Sequence, residues 1–287
     1  MPTYALLISV MVLWGLYPIV THYFVRSLDP LFLVLISTFA SSLPFIAIQF
    51  LQKNQRKLIS KKTIQALLPV ALFASLGHVL LFVGTKYTSG VNTGLLLQIE
   101  PIYAMILGVI FFKELFGLGR IGSTLTMIMG AMIIVYKGGA TFNIGDILIL
   151  LAPLMYQLSH TLAKKLMNKD IDTTLILAGR MLYGGIIILV FIFIYDKSLL
   201  NLLFSIESVA SGVFLGFYLS VVVFLWYSAL KKIPISVASA FLPLTALISL
   251  VGSSLFLRES ITPQHYIGLL LIVGGMIWIS KLPATKV

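Results

Sequence analysis

FFKELFGLGRIGSTLTMIMGAMIIV, residues 111–135, returns 145 positions later as FLRESITPQHYIGLLLIVGGMIWI, residues 256–279, with Glu114 aligned to Glu259 and Gly130 to Gly275. Each copy closes one apolar run on a glutamate, turns through a short link, and enters a second apolar run that carries glycine. If each half of the chain holds an odd number of membrane spans, the second copy enters the bilayer upside down, as an inverted repeat.

Composition places both copies in lipid. With 59% hydrophobic and 10% charged residues over 287 positions, and a mean hydropathy of +1.06, the chain has more apolar surface than one soluble core can bury. The bilayer is therefore its first partner. Cysteine is absent, which excludes disulfides, thiolate chemistry and thiolate-held metals. A net charge of +11 would suggest nucleic acid in a soluble protein, but here its placement along the loops matters more than its sign, and nucleic acid is not an expected partner. MPTYALLISV has neither a basic first segment nor a small-residue cleavage site, so a signal peptide is not expected.

Crossing about 30 Å of hydrocarbon takes roughly 20 helical residues, and that length fits ten times along the chain. Spans are predicted at 4–25, 30–51, 64–84, 91–112, 119–136, 145–166, 173–195, 209–230, 235–257 and 265–281. Helix follows because backbone polar groups in lipid must be satisfied within the segment, and ten-residue alternating barrel strands are not seen. The expected fold is an all-α polytopic membrane protein of ten transmembrane helices, in two inverted five-helix repeats over 1–140 and 141–287. Of twenty Lys and Arg, fourteen fall on one set of alternate loops and the C-terminus, from Lys53 to Lys286. Five (Arg26, Lys86, Lys137, Lys197 and Arg258) fall on the other set, and Arg180 lies inside a span. The positive-inside rule then puts both termini in the cytoplasm.

Polar groups inside apolar spans are the candidate site, because each is costly unless paired or hydrated by a cavity. Glu100 leads: it sits mid-span on one helical face with Asn92 and Tyr103, and the neighbouring Pro101 removes a backbone donor. It could meet a cationic substrate, carry a proton, or serve structurally. His78 shares a face with Ser75 and Thr85. Gln157, His160 and Lys164 make a polar stripe after Pro153. Arg180 lies a third of the way into the seventh span, for an ion pair or a substrate contact. Trp14 and Tyr17 offer aromatic walls near Pro18, whereas His22 reads as an interfacial histidine. Ser236, Ser239, Ala246, Ser249 and Ser253, with Gly274 and Gly275, read as close helix packing.

Leu13-Trp14-Gly15, Leu97-Gln98-Ile99-Glu100-Pro101 and Phe111-Phe112-Lys113-Glu114, echoed by Phe241-Leu242-Pro243 and Leu257-Arg258-Glu259, resemble the EamA type of the drug/metabolite transporter superfamily. The glycine-studded fifth and tenth spans add to the resemblance, which covers nearly the whole chain. It implies two inverted five-helix repeats, a central substrate cavity and alternating access. Two departures stand out. Pro243 precedes Glu259 by 16 residues where Pro101 precedes Glu114 by 13, and Thr38 stands where the first half would match Arg180.

No phosphate-binding glycine loop, HExxH, GxSxG or metal-spaced carboxylate cluster is present, so neither an enzyme nor a cofactor is expected. The leading reading is a secondary transporter exporting a small organic solute, such as an amino acid or related metabolite. Protons or an exchanged solute are its candidate coupling partners. The expected location is a prokaryotic cytoplasmic (inner) membrane, as monomer or homodimer. The alternatives are a membrane-embedded lipid-modifying enzyme, whose polar residues would gather at one interface, and a structural or sensory membrane protein.

Overall fold

The computed structural model describes residues 3–100, 102–103, 106–107, 110, 117–136, 143–167, 169, 171–230 and 242–282. Its helices are α1 (Thr3–Val25), α2 (Pro30–Leu51), the short α3 (Gln55–Leu58), α4 (Lys61–Tyr87), α5 (Gly90–Leu96), α6 (Leu118–Val135), α7 (Ile144–Met167), α8 (Thr173–Tyr195), α9 (Ile206–Leu230), α10 (Leu242–Leu257) and α11 (Pro263–Lys281). Short 3-10 segments cover Leu97–Ile99 and Lys197–Phe204, and no strand occurs among the described residues. Six helices (α1, α2, α4, α7, α8 and α9) are long and apolar enough to cross a membrane, and three shorter apolar helices accompany them. The molecule is an all-α polytopic membrane protein.

Most predicted spans agree with these helices to within a few residues, with α4 extending three residues beyond both expected ends. The fourth span differs. A 3-10 turn over Leu97–Ile99 interrupts it after Leu96, ahead of Pro101, whose ring cannot donate to the ladder, and the described residues from Glu100 to Ile110 are α-helical again. Pro101, Glu114, Ser236 and Ser239 lie outside the described residues.

Matching positions in the two halves start their helices the same way. Asp29 caps α2 by accepting from Phe32 N–H at 2.9 Å, and Asp172 caps α8 by accepting from Leu175 N–H at 3.1 Å. Burial pushes the Asp172 carboxyl up. Donors from Thr174, Leu175 and Gln49 outweigh that effect and hold it below the usual carboxylate range.

Two compact units result, and neither is a sequence half. Unit 1 takes Met1–Tyr23, Gly84–Leu154 and Leu225–Val287; unit 2 takes Phe24–Val83 and Met155–Phe224. Within unit 1, α6 packs closely on α11 through glycines. A Cβ on Gly130 would meet the Gly268 carbonyl at 2.8 Å, and one on Gly275 would meet Met127 Cγ at 2.4 Å and the Ser123 carbonyl at 2.8 Å. Ser249 Oγ donates to the Gly15 carbonyl at 2.7 Å, so at this position α10 approaches α1 closely. Within unit 2, a Cβ on Gly216 would lie 2.4 Å from the Ser37 carbonyl, which brings α9 against α2. Outward-facing Leu68, Leu72 and Leu76 make an exposed leucine stripe on α4, as a lipid-facing helix requires.

Gly274 and Gly275 are neighbours with opposite surroundings, because nothing lies within 4 Å of a Cβ on Gly274. Gly274→Ala is expected to raise the thermal midpoint in detergent, by up to about 1 kcal/mol of helix propensity. Gly275→Ala should lower it by about 1–3 kcal/mol through overpacking. Two shifts of the same sign would contradict this packing.

Candidate functional site

In unit 2, α8 carries Arg180 into the helix packing. The residue is only 3% exposed, and its Nε and Nη1 atoms have no hydrogen-bond partner among the described residues. A buried cation without donor–acceptor closure is expensive and needs a counter-group. What surrounds it is aromatic and imidazole. Its charge is felt at both His78 on α4 and His160 on α7, and the two imidazoles are near enough to act on one another. Tyr156 on α7 stands edge-on to His78, ring centroids 5.3 Å apart, and its ring fills the space over Gly77. Ser159, one residue before His160, donates to the Val70 carbonyl at 2.8 Å and ties α7 to α4. Tyr183, three residues after Arg180, bonds the Leu58 carbonyl. Thus His78, His160 and Arg180, three of the candidates read from sequence, come together on three helices. Gln157 lies half-buried on the same stretch of α7.

The other candidates belong to unit 1. Trp14 meets Trp226 edge-on, centroids 5.7 Å apart, and Tyr17 is buried one turn further along α1. Tyr103 donates to the Leu150 carbonyl at 2.8 Å, which commits its hydroxyl to holding two segments together. Glu100 is half-buried at the end of the 3-10 turn. Gln98 forms the polar contact of this turn with α10. Its Nε2 donates to the Gly94 carbonyl at 3.1 Å, and its Oε1 accepts from Thr245 Oγ1 at 2.9 Å.

A second polar constellation lies in unit 1, where helix ends meet. His22, near the end of α1, is 4% exposed, its Nδ1 donates to the Thr85 carbonyl at 2.9 Å, and its Nε2 lies 3.2 Å from Glu259 Oε1. Glu259, on the turn after α10, also accepts from the N–H groups of Gly90 (to Oε1) and Val91 (to Oε2), both at 2.9 Å. Burial pushes its carboxyl up. The His22 bond, the two backbone donors and the His22 charge outweigh burial and hold it below the ordinary range. Beside it runs a relay: His265 Nε2 to Asn92 Oδ1 at 3.0 Å, Asn92 Nδ2 to Asp146 Oδ1 at 3.0 Å, and Thr88 Oγ1 to the same Asp146 oxygen.

Sequence reading passed over Asp146 and His265 and gave Glu259 no role. The available signal was economy: only nine acidic residues exist in the chain, so one at a span end invites a search for its partner. Among the described residues, no three side chains of metal-ligating type gather closely enough to hold an ion.

The chain matches the EamA-like transporter family over residues 1–136 and again over 143–281. It is 26% identical over 265 residues to a protein of Archaeoglobus fulgidus named an uncharacterized transporter, covering 92% of this chain and 93% of that one. It is 24% identical over 276 residues to the uncharacterized transporter YoaV of Bacillus subtilis, covering 94% of each. A solved crystal structure of a protein shares the fold, with a TM-score of 0.67 at 15% identity over 96% of each chain.

Proposed function

The chain belongs to the EamA-like transporter family, and we propose that it is a secondary active transporter that exports a small carboxylate-bearing solute, such as an amino acid or a related metabolite, by alternating access. Family membership makes it a transporter rather than an enzyme. One observation carries the substrate class: the buried Arg180 guanidinium, with two nitrogens lacking a partner among the described residues, set among His78, His160 and Tyr156. A guanidinium fork fits a carboxylate in two parallel bonds, and the aromatic ring beside it suits an organic side chain. Gln157 supplies a further polar contact. Glu100, Trp14, Tyr17 and Tyr103 line the substrate path through unit 1.

The two family matches, 1–136 and 143–281, support two repeats over 1–140 and 141–287. The distribution of Lys and Arg supports both termini in the cytoplasm, and the archaeal and Bacillus relatives support a prokaryotic cytoplasmic membrane. Coupling is to protons or to an exchanged solute.

Counterflow in proteoliposomes tests the reading. A labelled amino acid or small carboxylate should accumulate against an internal load of the same solute, and an amine of matching size without the carboxyl should not compete. Competition by the amine and none by the carboxylate would sink the substrate class. A C-terminal reporter found outside the cell would overturn the orientation.

A further inference from the structure

We propose that His22 and Glu259 form a proton-operated latch: one proton held between His22 Nε2 and Glu259 Oε1 ties the end of α1 to the turn after α10 and to the first turn of α5, and loss of that proton frees this end of unit 1. The inference rests on a different constellation from Arg180 and stands whatever the substrate.

The proton follows from hydrogen-bond logic. The Thr85 carbonyl can only accept, so His22 Nδ1 must carry hydrogen. The other ring nitrogen lies 3.2 Å from a carboxylate oxygen, and two lone pairs facing each other at that distance repel, so the contact holds only with a proton between them. Neither partner can turn away. Both Glu259 oxygens are anchored by α5 backbone N–H groups, and His22 is pinned by Thr85. Glu259 already accepts two backbone N–H bonds, which favours its ionised form, so the shared proton is assigned to the imidazole. When that proton leaves for water, a neutral imidazole lone pair faces a buried anion.

The backbone is shaped for this contact. Arg258 has a φ of 55°, a left-handed conformation that costs a residue with a Cβ about 1 kcal/mol or more. It reverses the chain between Leu257, the last residue of α10, and Glu259, so that the carboxylate points back at α5. Such strain persists only where surrounding contacts hold it.

Other titratable groups do not displace His22 from this role. On α4, Lys86 and Tyr87 are exposed, as are Arg258 on the turn itself and Tyr266 on α11. Neither α5 nor α10 carries a titratable side chain. From α7, Asp146 is engaged by Thr88 and Asn92, and it is joined through Asn92 to His265 on α11. His265 Nδ1 accepts from the Thr262 N–H at 3.0 Å, so its hydrogen is assigned to Nε2, and a second proton would break that bond.

The test uses the absence of native cysteine. Ser253 is fully buried, and its Oγ would lie 3.1 Å from a Cβ on Gly90, directly under the latch. In full-length protein in nanodiscs, the maleimide labelling rate of Ser253→Cys, taken per thiolate from that thiol's own titration, is divided by that of exposed Ser260→Cys taken the same way, which cancels the thiols' own pH response. That ratio should rise by about tenfold or more between about pH 6 and about pH 9, because a one-proton equilibrium shifts tenfold per pH unit beyond its midpoint. The response should be lost in His22→Gln. In Glu259→Gln the ratio should be high throughout. A flat ratio with His22 and Glu259 intact overturns the latch, as does a pH response surviving in His22→Gln. Should the variants not fold, the imidazole nitrogen resonances of His22 decide: titration in step with labelling sustains the latch, and titration outside that window overturns it.

Discussion

Arg180→Met should abolish counterflow, by about a hundredfold or more, while raising rather than lowering the thermal midpoint of the purified protein. The two effects separate because burial of the charge opposes stability while its donors serve binding. The guanidinium is buried at 3% exposure with two nitrogens lacking partners among the described residues, and an apolar side chain of similar length removes the cost of keeping an uncompensated charge there. With a carboxylate present the same group supplies the paired donors that hold it, and methionine supplies none. Arg180→Lys should recover stability behaviour but little transport, because a point charge does not reproduce the fork. An Arg180 whose role is structural would give the reverse of the Met result: a lower midpoint, with flux reduced in proportion to the folded fraction.

Asp146→Ala is expected to be among the most destabilising single changes at the helix-end cluster of unit 1, on the order of 3 kcal/mol, because it strips an acceptor from the Asn92 amide and the Thr88 hydroxyl together. Asp146 is fully buried in the first turn of α7, where a negative group also meets the positive end of the helix dipole. Asp146→Asn should cost about 1 kcal/mol, since its carbonyl oxygen still accepts from Asn92. Thermal midpoints of the two variants in the same lipid give the comparison. Equal losses would mean that the charge, not the acceptor, is what this position supplies.

Much of the fold was legible because apolar length is a one-dimensional signal. The long helices fall where runs of roughly 20 apolar residues predicted them, whereas the short polar α3 lies between two predicted spans and backbone chemistry interrupts the fourth. The fourth span breaks into a 3-10 turn over Leu97–Ile99, where Pro101 leaves the ladder without a donor, and its described residues are α-helical again from Glu100. Gly130 and Gly275, aligned by sequence alone, both lie in the contact between α6 and α11.

The candidate site was legible in part. His78, His160 and Arg180 stood out as polar residues in apolar spans, and they do meet. Nothing along the chain signals that Glu259, 237 positions away, turns back onto His22, which by sequence alone is an interfacial histidine. Asp146 sat at a span end, where a charge is unremarkable until Asn92 and Thr88 are seen against it.

By itself, the sequence determined that this is a membrane-embedded helical transporter with a doubled plan, since hydropathy, loop charge and repeat spacing are properties of order along the chain. Only the tertiary structure decided that the compact units interleave the halves, each unit drawing segments from both. It alone decided which polar groups become partners. Pairings such as His22 with Glu259 depend on where helices end in space and on which carbonyls and N–H groups those ends leave to be satisfied.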